Sequence, residues 1–139
     1  HGSIMYNALK IRAIKKIVQV GVRDCCEEEV QQMQHTNGRV KIFFDEQLNE
    51  KKFQGVTWNS QCDEIIETLP SLVYISFDID GLTPSCCPGT GTPVPGGLQF
   101  EEAIFLIRKL VESGRTIIGF DLCEVGPSAW DANVGARVL

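Results

Sequence analysis

Residues 72–97 read LVYISFDIDGLTPSCCPGTGTPVPGG, an apolar run that ends in two aspartates and continues into a loop rich in glycine and proline. The run predicts a buried β-strand, and the loop carries too many breaking residues to form a helix or a strand. Because side chains alternate between the two faces of a strand, we expect Asp78 and Asp80 to point the same way. Two carboxylates together at a strand end predict a site for a hard cation.

Composition narrows the class of protein. The chain has 139 residues, of which 43% are hydrophobic and 22% charged, as is typical of one soluble globular domain. We see no membrane-length apolar run and no secretory signal, so we expect a cytoplasmic protein with no membrane partner. The formal net charge is −5 and no basic cluster offsets it, which argues against a nucleic-acid partner.

The cysteines favour neither a disulfide framework nor a zinc site, because no Cys-x-x-Cys spacing occurs. We expect buried, reduced thiols in a reducing compartment. The six residues are Cys25, Cys26, Cys62, Cys86, Cys87 and Cys123.

Short β-branched runs alternate with helical patterns along the chain. Strands are predicted at 17–22, 40–44, 72–77 and 116–123. Helices are predicted near 4–11 with Ser3 as cap, at 27–34 capped by Asp24, at 63–69 capped by Asn59 or Ser60, at 100–111, and from near Asp131, while 45–52 is ambiguous between helix and loop. This alternation predicts an α/β fold whose mainly parallel sheet is covered by helices on both faces.

Acidic residues gather where two of these strands end. Asp78 and Asp80 follow the third strand, and Asp121 and Glu124 lie at the end of the fourth. Ligands of open α/β sheets bind outside the carboxyl ends of the strands, so one rim carries all four carboxylates. Such a cluster predicts a bound Mg²⁺, Mn²⁺ or Ca²⁺ ion, and a pair of such ions can acidify water into a nucleophile.

A longer pattern around this rim resembles a known signature. Residues 76–80 (SFDID), Pro84, residues 88–93 (PGTGTP) and Gly96-Gly97 are similar to the ureohydrolase signature of arginases, agmatinases and their relatives. Residues 119–125, 131–137 and 1–3 together with 21–23 extend the resemblance over the whole chain. The resemblance implies an arginase-like fold, a three-layer αβα arrangement that is incomplete here.

The resemblance also implies a chemistry, namely hydrolysis of a guanidino substrate to urea and an amine, or of a formimino substrate, with two Mn²⁺ ions per complete site. By position, Asp78 and Asp80 match metal ligands, and Glu124 matches the acid that binds the substrate guanidinium. Thr92 is expected near Glu124 as a substrate-binding residue, His1 matches a proton shuttle, and Asp121 is expected to support the other groups from behind.

Relatives in this family are longer than this chain, and most of their metal ligands lie upstream of the stretch that matches. The resemblance therefore implies that residues 1–139 form the carboxyl-terminal part of a single ureohydrolase domain, inactive when isolated. Residues 3–6 resemble the agmatinase-like branch, which favours agmatine or guanidinobutyrate over arginine and leaves formiminoglutamate open. A homo-oligomer, trimeric or hexameric, is also implied.

Alternatives remain open from the sequence. Residues 77–82 also resemble the Asp-x-Asp-Gly start of haloacid-dehalogenase-like phosphatases, in which Asp78 would be the nucleophile and Asp80 the general acid, with Mg²⁺. That motif normally lies near an amino terminus, and the phosphatase chemistry does not require residues 88–97. A second alternative is an inactive subunit that binds a partner chain. His1-Gly2-Ser3, finally, could be the remnant of a histidine tag.

Overall fold

The computed structural model describes residues 3–139, apart from the side chains of residues 32–34. Strands and helices alternate along it as the sequence predicts. In chain order they are α1 (Ile4–Ala8), β1 (Ile17–Val22), α2 (Glu27–Gln34), β2 (Val40–Phe44), α3 (Asp45–Phe53), α4 (Trp58–Glu67), β3 (Leu72–Asp78), α5 (Phe100–Glu112), β4 (Thr116–Cys123) and α6 (Ala129–Val138), and a short 3₁₀ helix (Ile79–Gly81) follows β3. None of the described helices has the length and apolar character needed to cross a lipid bilayer.

The strands pair in parallel, which confirms the predicted α/β class. β1 pairs with β2, and β3 pairs with β4. Within the described residues they form two two-stranded sheets rather than the one sheet expected. On the β3–β4 pair, the side chains of Leu72, Tyr74 and Ile118 are 58%, 57% and 62% exposed.

The loop that follows β3 is part of the hydrophobic core. Ile79, Leu82 and Cys87 are 0%, 1% and 0% exposed. They pack in one cluster with residues of the helices, such as Leu48 of α3 and Val134 of α6. A loop anchored by fully buried side chains gives the groups it carries a fixed base.

The cysteine thiols differ in how far they are buried. Cys62 and Cys87 are buried as expected, and burial raises the pKa of each thiol to about 11. Cys25 and Cys26 are exposed, so the expectation of burial is wrong for this pair. They lie between β1 and α2, where a polar connection reaches the surface.

Two helix starts differ from the predicted ones. α4 begins at Trp58 and is capped by Thr57, whose side chain accepts a hydrogen bond from the Ser60 N–H, so Asn59 and Ser60 are not the cap. α6 begins at Ala129, two residues before Asp131. The ambiguous stretch after β2 is α3.

Two further caps also differ. Ser3 precedes α1 without a side-chain capping bond. α2 begins at Glu27, three residues beyond Asp24, so Asp24 is too distant to be its cap.

Candidate metal and substrate site

Asp78 and Asp80 lie at the carboxyl end of β3, but not on one strand face as predicted. The strand ends at Asp78, and the chain turns into the 3₁₀ helix because Asp78 Oδ1 accepts a hydrogen bond from the Asp80 N–H at 2.9 Å. Partial desolvation of Asp78, together with the negative charges of Asp80 and Glu124, raises the pKa of the Asp78 carboxyl. The two carboxylates and Glu124 therefore share one electrostatic environment.

Asp80 is held on both sides of its carboxylate. Arg23 Nη2 lies 3.2 Å from Oδ1, and the Arg23 side chain is only 9% exposed. Thr92 Oγ1 donates to Oδ2 at 3.2 Å. Thr92 thus contacts the proposed metal ligand Asp80 directly. The loop that carries Thr92 also passes close to Glu124.

Asp121 lies within β4, directly opposite Ser76 in the parallel register. Ser76 Oγ donates to Asp121 Oδ1 at 2.9 Å, and the Cys123 thiol lies 3.7 Å from the same oxygen. The Asp121 carboxylate also raises the pKa of Tyr74, chiefly by hydrogen bonding to it. Asp121 is therefore a hydrogen-bonded carboxylate that lies within β4, two residues before the strand ends.

Glu124 is the first residue after β4 and has a φ of +59°. This left-handed conformation is uncommon for a residue other than glycine and occurs preferentially at functional sites. It turns the side chain toward the glycine-rich loop, where a Cβ added at Gly91 would lie 3.9 Å from Glu124 Oε2. The ends of β3 and β4 and the loop thus bring Glu124 and Thr92 to the same rim.

A buried aspartate ties that loop to the start of α6. Asp131 is 0% exposed, and its Oδ2 accepts from the Gly89 N–H at 3.0 Å. Ser128 Oγ donates to Asp131 Oδ1 at 2.5 Å and accepts from the Asp131 N–H at 3.0 Å. Residue 126 must be glycine here, because a Cβ would overlap the Gly89 carbonyl oxygen.

The structure brings together four of the residues singled out from the sequence, Asp78, Asp80, Thr92 and Glu124, with Asp121 behind them. His1 lies outside the described residues. Sequence analysis included Arg23 in the family resemblance through residues 21–23 but assigned it no role, and it gave Asp131 no role beyond the last helix. A charged residue directly after a buried strand was a second signal for Arg23.

The donor chemistry of Asp78 and Asp80 fits a hard divalent cation, because both present carboxylate oxygens at a strand end. They do not make a complete site. Among the described residues, no group of three or more histidines, cysteines, aspartates or glutamates is arranged to hold a metal ion. An octahedral ion such as Mn²⁺ bound here would need further ligands from other residues.

Comparison with known proteins identifies the relatives of this chain. Residues 1–138 match the model of the arginase family. An agmatinase from Sodalis glossinidius is 36% identical over 140 residues, an alignment that includes 99% of this chain and 41% of that protein. The chain therefore spans about two fifths of the length of the curated relatives that it matches.

Solved structures give the same family. A hypothetical agmatinase from Burkholderia thailandensis superimposes with a TM-score of 0.78 at 31% identity, covering 99% of this chain and 41% of that one. An arginase from Bacillus caldovelox superimposes with a TM-score of 0.74 at 27% identity, covering 89% of this chain and 41% of that one. The fold is thus arginase-like and incomplete, and by its sequence and its structure this chain belongs to the arginase family.

Proposed function

We propose that these residues are the carboxyl-terminal part of an agmatinase-like ureohydrolase, which uses two Mn²⁺ ions to hydrolyse a guanidino substrate. The observation that carries the proposal is the convergence of Asp78, Asp80 and Glu124 at the ends of two paired parallel strands in an arginase-family chain. Other donors complete the site in the whole protein.

Glu124 has the chemistry to hold the substrate. A carboxylate pairs with a planar guanidinium through two parallel N–H···O bonds, which fix the orientation of the guanidinium plane as well as its position. Glu124 directly follows β4, and its Oε2 would lie 3.9 Å from a Cβ added at Gly91 of the loop. In the proposed site this pairing presents the guanidinium carbon to the side where Asp78 and Asp80 lie.

Asp78 and Asp80 would hold the metal ions, which act as Lewis acids that lower the pKa of water. Thr92 and Arg23 keep the Asp80 carboxylate in one orientation, and the Asp80 N–H does the same for Asp78. The reaction joins a water oxygen to the guanidinium carbon and breaks one carbon–nitrogen bond. The departing nitrogen gains a proton and leaves as an amine, and the remainder is urea; we assign the proton transfer to His1.

Agmatine and guanidinobutyrate are the first candidate substrates. Both lack an α-amino acid group, and the relatives at 36% identity are agmatinases. Arginine and formiminoglutamate are the next candidates. We propose a cytoplasmic homo-oligomer, a trimer or hexamer, as the assembled form.

The test is amine release from each of the four substrates by the natural polypeptide that contains these residues, with and without Mn²⁺. We expect Mn²⁺-dependent turnover, greatest with agmatine or guanidinobutyrate. Glu124→Gln and Asp78→Asn should each lower kcat/KM by at least ~100-fold, because each removes a charge that the transition state needs. Glu67→Gln, an exposed change on α4, is the matched control and should leave turnover unchanged.

Three results would contradict the proposal. Turnover that is unchanged in Glu124→Gln would show that Glu124 is not the partner of the substrate guanidinium. Hydrolysis of a generic phosphate ester in place of amine release would favour the phosphatase alternative, to which membership of the arginase family lends no support. A polypeptide that binds neither metal nor substrate would instead favour the inactive-subunit alternative.

A further inference from the structure

Arg23 directly follows β1 and reaches into the loop that carries the proposed site. Its Nη1 donates to three backbone carbonyl oxygens of that loop, at 2.8 Å to Val94 and at 3.2 Å to Leu82 and Gly96. These three residues lie on both sides of the loop. One guanidinium therefore fixes the distance between the strand-proximal and helix-proximal halves of residues 82–97.

The other terminal nitrogen of Arg23 holds Asp80. Nη2 donates to the Asp80 carbonyl oxygen and to Asp80 Oδ1, the latter at 3.2 Å. A planar guanidinium offers its donors in a rigid fork, so contacts to the backbone and the carboxylate of one residue restrict rotation of that side chain. Arg23 thus sets the direction in which Asp80 presents its carboxylate.

Gly97 leaves space in the loop for the Arg23 side chain. Gly97 has a φ of +95°, and a Cβ added there would lie 2.6 Å from Arg23 Nη1 and 2.6 Å from the Leu82 carbonyl oxygen. A charge that is only 9% exposed is costly unless it is fully paired, and carbonyl groups outside helices and strands also need partners. Arg23 and the loop carbonyls satisfy each other, which makes the guanidinium the organising centre of the loop.

We infer that Arg23 is a positioning residue of the proposed site, and the inference rests on the proposed function in its link to metal binding. It orients the Asp80 carboxylate and orders residues 82–97, and through them it sets the affinity for the metal ion. Residues that position metal ligands change metal affinity when they are replaced, even though they do not touch the ion. A purely structural arginine would change stability alone.

The test compares Arg23→Lys with Arg39→Lys in the natural polypeptide. Arg39 is a matched control, because its Nη2 also donates to two backbone carbonyls, those of Leu9 and Ile14, but to no carboxylate among the described residues. Lysine keeps the charge but cannot reach several acceptors in a fixed plane. We expect Arg23→Lys to weaken Mn²⁺ binding by ~10-fold or more in a calorimetric titration. Amide exchange of residues 82–97 should also speed up, and Arg39→Lys should do neither.

A second pair of variants approaches the same contact from the loop side. Gly97→Ala drives a Cβ against Arg23 Nη1, whereas Gly55→Ala imposes a similar backbone strain, at a φ of +88°, with no atom within 4 Å. Gly97→Ala should weaken Mn²⁺ binding and Gly55→Ala should not. This comparison serves where Arg23→Lys does not fold.

The outcomes separate the two proposals. Metal affinity that is the same in Arg23→Lys, Arg39→Lys and wild type overturns the positioning role. A wild-type protein that binds Mn²⁺ but releases no amine contradicts the proposed function, yet the affinity comparison still decides the role of Arg23. If the wild type binds no Mn²⁺, the role of Arg23 in metal affinity is overturned, and faster amide exchange of residues 82–97 in Arg23→Lys then supports only its ordering of the loop.

Discussion

At the scale of single residues, two buried charges of opposite sign hold the loop that carries the proposed site. The Arg23 guanidinium donates hydrogen bonds to loop carbonyl oxygens, and the Asp131 carboxylate accepts one from the Gly89 N–H. The loop forms no helix or extended ladder that could satisfy these backbone groups itself. Residues without a role in the chemistry therefore determine where the reactive carboxylates lie.

Asp131 gives a prediction at this scale. Asp131→Ala removes the acceptor of the Gly89 N–H and of the Ser128 hydroxyl in a site that is 0% exposed. Leaving such buried donors unpaired should lower the free energy of unfolding by about 2 to 3 kcal/mol, measured by urea denaturation of the natural polypeptide. Asp131→Asn keeps one acceptor oxygen and should cost less.

Asp63→Ala is the control for Asp131→Ala. Asp63 forms an ion pair with Lys109, but its side chain is 54% exposed, so its loss should cost less than about 1 kcal/mol. Equal destabilisation by Asp63→Ala and Asp131→Ala would show that burial of Asp131 does not matter.

At the scale of elements, the strand positions and the starts of α2 and α5 were predictable, whereas the starts of α4 and α6 were not. β1 and β4 begin and end at the predicted residues, because β-branched apolar runs such as 17–22 have few alternative conformations. Ahead of α4, by contrast, Thr57, Asn59 and Ser60 are all competent caps. The choice among them depends on where packing of the helix begins, which the local sequence does not contain.

The cap of α4 gives a prediction at this scale. Thr57→Ala removes the oxygen that accepts the Ser60 N–H at 3.2 Å and should lower the free energy of unfolding by about 1 kcal/mol. Ser60→Ala leaves that backbone bond in place and should change stability by less than about 0.5 kcal/mol. Chemical denaturation measures both effects. A larger effect for Ser60→Ala would show that Ser60 is the cap, which is one of the two positions expected from the sequence.

The candidate site, like the strands and helices that carry it, was predictable from the sequence in part. Asp78, Asp80 and Glu124 were found because they follow strands and belong to a long spaced signature. The 3₁₀ turn that contains Asp80 was missed, since it is fixed by local hydrogen bonds from the Asp80 N–H to Asp78 and from the Leu82 N–H to Ile79 that no sequence pattern indicated. The role of Arg23 was missed because its partners lie 57 to 73 residues further along the chain, and no local sequence pattern indicates contacts at that distance.

At the scale of the whole molecule, the two strand pairs differ in how they are covered. Phe43 of the β1–β2 pair packs in the main core with α3 and the loop after β3. One face of the β3–β4 pair leaves Leu72, Tyr74 and Ile118 more than half exposed. Apolar side chains grouped on one sheet face, beside strands with free edges, favour association with another surface.

This exposed face gives the last prediction, for the isolated 139-residue chain. We expect it to self-associate in size-exclusion chromatography, and to release no amine from agmatine with Mn²⁺, because the described residues provide only part of a metal site. Ile118→Lys places a charge on the exposed face and should shift the elution toward the monomer. Phe53→Lys is the matched control, since Phe53 is 89% exposed but lies on α3, away from β3 and β4. A wild-type chain that elutes as a monomer, or an equal shift from Phe53→Lys, would show that the β3–β4 face does not drive association.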